Sequence, residues 1–263
     1  MNISVIVLTF NEETNLAACL ESVSGLTREI FVVDSGSVDR TKEICASFGA
    51  KVYDHPFVFH VKQWEWALGN LPLQTDWVLA LDADQRVTPE LAKEIRALSE
   101  EELEGVDGMY LKRRQIFRDK WIRFGGYYPI YLLKMFRRKA VYLDPSDLVD
   151  HHFYVSGKTI QLRNDLIEAN KKEDDIGFWI EKHNRYARLM AKEQIERKGD
   201  YPTLKKRVWA RLPLFVRPFL YFIYRYVIRL GFLDGKQGAI FHFMQAFWFR
   251  LLVDINVDQN SGN

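Results

Sequence analysis

Four apolar runs, separated by helical patterns and most of them closed by polar residues, constrain this chain more tightly than any other feature. Ile3–Phe10, Glu29–Asp34, Lys51–Tyr53 and Trp77–Leu81 have strand character. Thr14–Val23, Asp39–Phe48, Val61–Leu71 and Pro89–Leu98 carry apolar residues at helical spacing. Thr88 stands where an N-cap belongs, Pro89 at the first helical position, and Gly49 just past a helix end. Strand alternating with helix predicts an α/β fold, a mainly parallel sheet flanked by helices and joined by right-handed crossovers. Ligands of such sheets bind at the carboxyl ends of the strands. Three of those ends are polar here: Thr9-Phe10-Asn11-Glu12, Asp34-Ser35-Gly36 and Asp82-Ala83-Asp84.

Asp82 and Asp84 give two carboxylates one residue apart at the end of an apolar strand. Hard divalent cations take oxygen ligands, and Mg²⁺ characteristically bridges a protein carboxylate and a substrate phosphate. Asp34 can accept from the N–H of a base, and Gly36 permits close approach of a ligand. Either feature alone also fits a strand that simply ends in a capped turn. Together they point to a nucleotide with a metal-bound diphosphate. Gly157-Lys158-Thr159 is not a P-loop, because His152 stands where the first glycine is required. A dinucleotide G-x-G-x-x-G after a strand and a Gly-x-Ser-x-Gly elbow are both missing from the sequence.

Ser4-Val5-Ile6-Val7-Leu8-Thr9-Phe10-Asn11-Glu12-Glu13, Val32-Val33-Asp34-Ser35-Gly36-Ser37-Val38-Asp39-Arg40-Thr41 and Leu81-Asp82-Ala83-Asp84 resemble, in order and spacing, the three signatures of GT-A family 2 glycosyltransferases. Trp121-Ile122-Arg123-Phe124-Gly125-Gly126-Tyr127-Tyr128-Pro129, Phe136-Arg137-Arg138 and Gly231-Phe232-Leu233-Asp234-Gly235 resemble the bacterial subgroup that builds lipopolysaccharide core and surface polysaccharides. The resemblance implies a GT-A fold, Rossmann-like in its first half, with a C-terminal aromatic and basic helical region. It divides the chain into residues 1–110 for the nucleotide sugar, 111–204 for the acceptor and 205–263 at a membrane.

It also implies roles. Thr9, Asn11, Glu12, Asp34, Ser35, Gly36, Lys62, Asp82, Ala83 and Arg138 would line the nucleotide-sugar pocket, with Asp34 reading a uracil. Asp84, helped by Asp82, would hold Mg²⁺ or Mn²⁺. The reaction would be inverting: an acceptor hydroxyl attacks the anomeric carbon of a UDP-sugar and the nucleoside diphosphate leaves. Asp150 is the expected base, with His151 and His152 as alternates and Asp147 and Asp165 as further candidates. Gln85 follows the D-x-D where many relatives have Glu, a change expected to tune the site rather than abolish metal binding.

Composition sharpens the membrane expectation. The formal net charge is +2. From Lys205 to Arg250 there are nine Lys or Arg and one acid, Asp234, a local +8 that leaves −6 for the remainder. Interleaved aromatic rings and arginines suit a headgroup layer, so an anionic membrane surface is an expected partner and nucleic acid is not. Arg225 and Arg229 are expected on one helical face. Packing of the same aromatics as core is the competing expectation. Cys19 and Cys45 sit in neither a disulfide framework nor a metal spacing. The N-terminus lacks a cationic n-region, and its apolar run is too short for a signal peptide. The expected location is therefore cytoplasmic, peripheral on the inner face of the cytoplasmic membrane, with a lipid-linked saccharide or lipopolysaccharide core as acceptor. A non-catalytic nucleotide-sugar-binding protein and a membrane-recruited assembly protein are the alternatives.

Overall fold

A computed structural model describes residues 2–145, 152–197 and 204–261. The chain divides into two compact units, residues 1–116, 129–145 and 150–172 in one, and 117–128, 146–149 and 173–263 in the other.

The first unit contains β1 (Ile3–Thr9), α1 (Leu16–Ser24), β2 (Ile30–Asp34), α2 (Thr41–Ser47), β3 (Lys51–Asp54), α3 (His60–Asn70), β4 (Trp77–Asp82), β5 (Gln85–Val87), α4 (Pro89–Ala97) and most of β6 (Val106–Phe117). After a short β7 (Lys120–Trp121) come β8 (Ile130–Arg137), β9 (Val141–Leu143), β10 (Phe153–Val155) and β11 (Lys158–Glu168). The main sheet runs β3-β2-β1-β4-β8-β6-β11-β5. Its first four strands are parallel, the α/β architecture expected from the alternation. β8 then enters antiparallel between β4 and β6, and β11 runs parallel to β6. The boundary expected at residue 110 falls inside β6.

All seven residues of β1 are buried, because both faces of the sheet are covered. Ile3, Val5 and Val7 face α1 and α4, meeting Leu16, Leu20, Val23, Leu91 and Ile95. Ile6 and Leu8 face the other way, toward Trp64 and Ala67 of α3. This two-residue alternation is the strand period made visible by packing. Thr88 caps α4 as expected, its hydroxyl accepting from Leu91 N–H at 3.2 Å.

The second unit contains α5 (Ile176–Arg197), α6 (Leu204–Arg211) and α7 (Arg217–Phe222). α7 continues as a π-helical stretch, Ile223–Ile228, and a 3₁₀ turn follows at Gly231–Asp234. α8 (Gly235–His242), a second π-helical stretch Phe243–Trp248, and α9 (Phe249–Ser261) complete it. Among the described residues no helix is long and apolar enough to cross a membrane.

The motifs Phe124-Gly125-Gly126-Tyr127 and Gly231-Phe232-Leu233-Asp234-Gly235 meet each other in this unit. Asp234 accepts from the N–H groups of Arg123 (3.1 Å) and Phe124 (2.9 Å). Arg225 donates to Gly125 O at 2.7 Å. Gly125 has φ +67°, and a Cβ there would lie 1.9 Å from His242 Cε1, so only glycine fits this joint.

Candidate active site

The sheet register brings the three polar strand ends to one edge. β1 lies between β2 and β4, with Thr9 opposite Asp34 and Leu8 opposite Asp82. Parallel direction does the rest, since it turns every carboxyl end of the quartet the same way.

The loop after β1 is zipped to the loop after β2. Asn11 takes the left-handed φ of +52°, which its short polar side chain tolerates. Its N–H donates to Ser37 Oγ at 2.8 Å, and its side-chain oxygen accepts from Val38 N–H at 2.9 Å. Glu12 N–H donates to Thr41 Oγ1 at 2.8 Å. Asp34 holds this arrangement from below and is 0% exposed. One of its oxygens accepts from Thr9 Oγ1 and Ser37 Oγ, the other from the N–H groups of Gly36 and Ser37. Gly36 sits at φ +89°, a turn only glycine makes without strain. Ser35 Oγ accepts from Gln63 on α3 at 3.1 Å, and Gln63 also grips His55. Lys62, next to Gln63 at the start of α3, is exposed and paired with Glu65 at 2.7 Å.

At the end of β4, Ala83 is buried and Asp82 is partly exposed. Asp82 Oδ2 accepts from Lys134 Nζ at 2.8 Å, and this lysine, on β8, is only 5% exposed. Asp82 N–H donates to Gln85 Oε1, Gln85 Nε2 donates to Glu168, and Arg113 donates to Glu168 at 3.2 Å. The glutamine that departs from the expected Glu thus ties the D-x-D turn to β11. Asp84 is half-buried, and its carbonyl accepts from Ala169 N–H at 2.9 Å. Beneath the turn lies Cys19, its Sγ 3.8 Å from Asp82 O. Burial pushes this thiol far up, and the negative charges of Asp84 and Asp82 push it further. Cys19 is therefore an inert apolar contact and a probe of the negative field at the turn.

Two carboxylates are a partial ligand set. Among the described residues no group of three or more His, Cys, Asp or Glu could hold a metal. That fits Mg²⁺ or Mn²⁺ only in the shared manner, with substrate phosphate and water completing the shell.

Glu12, on the same edge, is tied to the segment after β11. It accepts from Lys172 Nζ and from Asn15 Nδ2 (2.8 Å), and Asn15 also binds Asn170 and Lys171 N–H. Lys134, Glu168, Asn170 and Lys172 escape a motif search. A pattern search would have found only Lys134, a charged residue inside the apolar run Leu132-Leu133-Lys134-Met135-Phe136.

Other expected site residues lie elsewhere. Arg138 follows β8, its N–H donating to Asp76 O at the start of β4. Five residue steps of strand, about 16 Å, separate that end from Asp82. The antiparallel entry of β8 places it there and removes it from the site, because Trp77, not Asp82, is opposite Arg137. Asp165 is 7% exposed and paired with Lys112 and Arg114. His152 is exposed, its ring 6.3 Å from Tyr154. Asp147, Asp150 and His151 lie outside the described residues.

The arginines of the C-terminal region also depart from expectation. Arg217 is 2% exposed, bonded to the buried Asp254 at 2.7 Å and to Gln194 at 2.8 Å. Arg225 is turned inward over the Tyr127 ring, 4.4 Å from its centroid, and bonds Tyr221. Arg229 is exposed beyond the π-helical stretch, so the two arginines do not share an outward face. Core packing has claimed the long amphipathic side chains of Arg217 and Arg225.

A family model described as glycosyl transferase family 2 matches residues 4–167. Over 93 residues the chain is 40% identical to an uncharacterized glycosyltransferase of Rickettsia typhi; the match spans 35% of this chain and 31% of that relative's length. Over 260 residues it is 27% identical to the lipopolysaccharide core biosynthesis glycosyltransferase LpsC of Rhizobium meliloti, covering 93% of this chain and 90% of that protein. The crystal structure of S. aureus TarS 1-349 superposes with a TM-score of 0.48 at 16% identity, covering 100% of this chain and 92% of that one.

Proposed function

The chain belongs to glycosyl transferase family 2, and from that premise we propose an inverting, metal-dependent transfer from a UDP-sugar to a lipid-linked saccharide or lipopolysaccharide core, at the inner face of the cytoplasmic membrane. The observation that carries this reading is the meeting of Thr9, Asp34 and the Asp82-Ala83-Asp84 turn on one sheet edge. Similarity to LpsC over nearly the whole chain supports the acceptor class.

Each residue then has a task. Asp34, with no exposed surface, shapes the Ser35–Ser37 turn so that its backbone and Ser35 meet the uracil and ribose. Asp84 is the metal ligand and Asp82 faces ribose and diphosphate, because Lys134 already places one positive charge on Asp82 and a second cation there is repelled. A bound Mg²⁺ or Mn²⁺ supplies charge stabilisation for the departing diphosphate. Lys134 adds a preorganised cation at low exposure, where charge counts for more than in water. The acceptor proton goes to a base in the segment Asp150, His151 and His152.

Lys134→Met tests the division of labour. Methionine fills the space of the buried stem, so the fold survives. We expect kcat for UDP release to fall on the order of 10²-fold, while Mn²⁺ affinity holds or rises because a competing cation has gone. A fall in Mn²⁺ affinity with kcat intact would reverse the assignment. The reading as a whole is tested by measuring UDP release across a panel of nucleotide sugars, with and without Mn²⁺. Release from none of them removes it.

A further inference from the structure

Resting on the membrane-proximal acceptor proposed above, we propose that the chain holds a lipid bilayer surface through the outward aliphatic face of α7 and its π-helical extension, and not through the arginines interleaved with it. Val216, Phe219, Leu220, Ile223, Val227 and Ile228 are each between 47% and 65% exposed. Their inward counterparts, Arg217, Pro218, Tyr221, Phe222, Arg225 and Tyr226, are buried or half-buried.

Both sets repeat every four residues. An α-helix turns every 3.6 residues and a π-helix more slowly, with bonds from i to i+5. Six residues of one followed by six of the other average about four per turn. The period-four pattern therefore stays on a single face instead of spiralling round the helix. The result is a straight, largely apolar ridge that includes Phe219 and Tyr224, with Arg217, Arg225 and the remaining aromatic residues turned inward. A contiguous apolar surface of this kind marks an interaction site.

The charges around it choose the partner. Arg207, Arg211, Arg229 and Lys236 are exposed. The acid between residues 207 and 253, Asp234, is 3% exposed and spent on backbone N–H groups. This stretch thus offers water an apolar ridge, and the exposed charges within it are cations. Acyl chains beneath a phosphate layer match that combination: the ridge lies in the interface plane and the cations meet phosphates. With no described helix able to span, the ridge lies in the surface.

The test is flotation of the full chain with phosphatidylcholine vesicles and with vesicles containing added phosphatidylglycerol, at low and at high salt. The wild type is expected to float with both and to stay bound in salt. Leu220→Asp, Ile223→Asp and Val227→Asp together should lower binding at least tenfold, while Arg229→Gln lowers it far less. All four side chains are exposed, so the melting temperature should hold, and UDP binding measured without vesicles separates this proposal from the catalytic one. Three results would overturn it: no flotation on either vesicle, flotation only on anionic vesicles with release by salt, or a dimer in solution that the three aspartates dissociate without any vesicle binding.

Discussion

Asp84→Ala is expected to lower sugar transfer on the order of 10³-fold, about 4 kcal/mol of transition-state stabilisation, and to abolish the Mn²⁺ dependence of UDP-sugar binding. The magnitude follows from the proposed role. Asp84 would hold the cation that compensates the charge of the leaving diphosphate, and the described residues offer no group of three His, Cys, Asp or Glu to take its place. Alanine keeps the backbone carbonyl of this residue, which accepts from Ala169 N–H, so that tie of the turn survives the substitution. Titration calorimetry with UDP and Mn²⁺ reads the outcome directly. Unchanged binding of both would remove the D-x-D turn from the active site. Asp82→Ala is a poorer probe, because it strands the buried Lys134 ammonium without its partner and so also costs stability. Asp82→Asn is preferable there.

Acid should weaken the second unit through its two buried histidines. His183 is 7% exposed, stacked on Trp179 at 3.4 Å, and burial lowers its pKa to about 4. His242 is fully buried against the Gly125 and Gly231 joint, and neither ring nitrogen has a hydrogen-bond partner among the described residues; burial, then the charge of Arg225, lowers it to about 4 as well. An unfolded histidine takes its proton near pH 6.5. Between pH 6.5 and 4 the unfolded chain therefore binds more protons than the folded one, and stability falls as pH falls. Each histidine accounts for about 3 kcal/mol across that window, and the pair for roughly 4 kcal/mol by pH 5. Urea midpoints at pH 7.5 and pH 5 measure this. Equal midpoints would contradict it, and His242→Gln should remove about half of the difference.

Much of the first unit was legible because its signals are local. β1, β2, β4 and the Thr88 cap fall within a residue or two of where periodicity places them, and the polar residues after those strands do share an edge. The short β5 and the strands β10 and β11 were not legible. Their pairing is set by partners far along the chain, as when Leu166 of β11 meets Val87 of β5. The same distance hid Lys172 and the partner of Lys134. A lysine in an apolar strand shows no sign, in sequence, of the carboxylate that another strand will bring to it.

By itself the sequence determined that there would be a parallel α/β sheet, which residues would end its strands, and that the positive charge would gather after residue 205. Those are properties of spacing and composition, and spacing survives any packing. The tertiary structure decided orientation. It turned Arg217 and Arg225 inward and the aliphatic residues outward, buried Asp34 beneath its loop, set Lys134 against Asp82 and carried Arg138 to the far end of the sheet. Periodicity fixes which side chains share a face of one element. Which face is buried depends on what the rest of the chain packs against it.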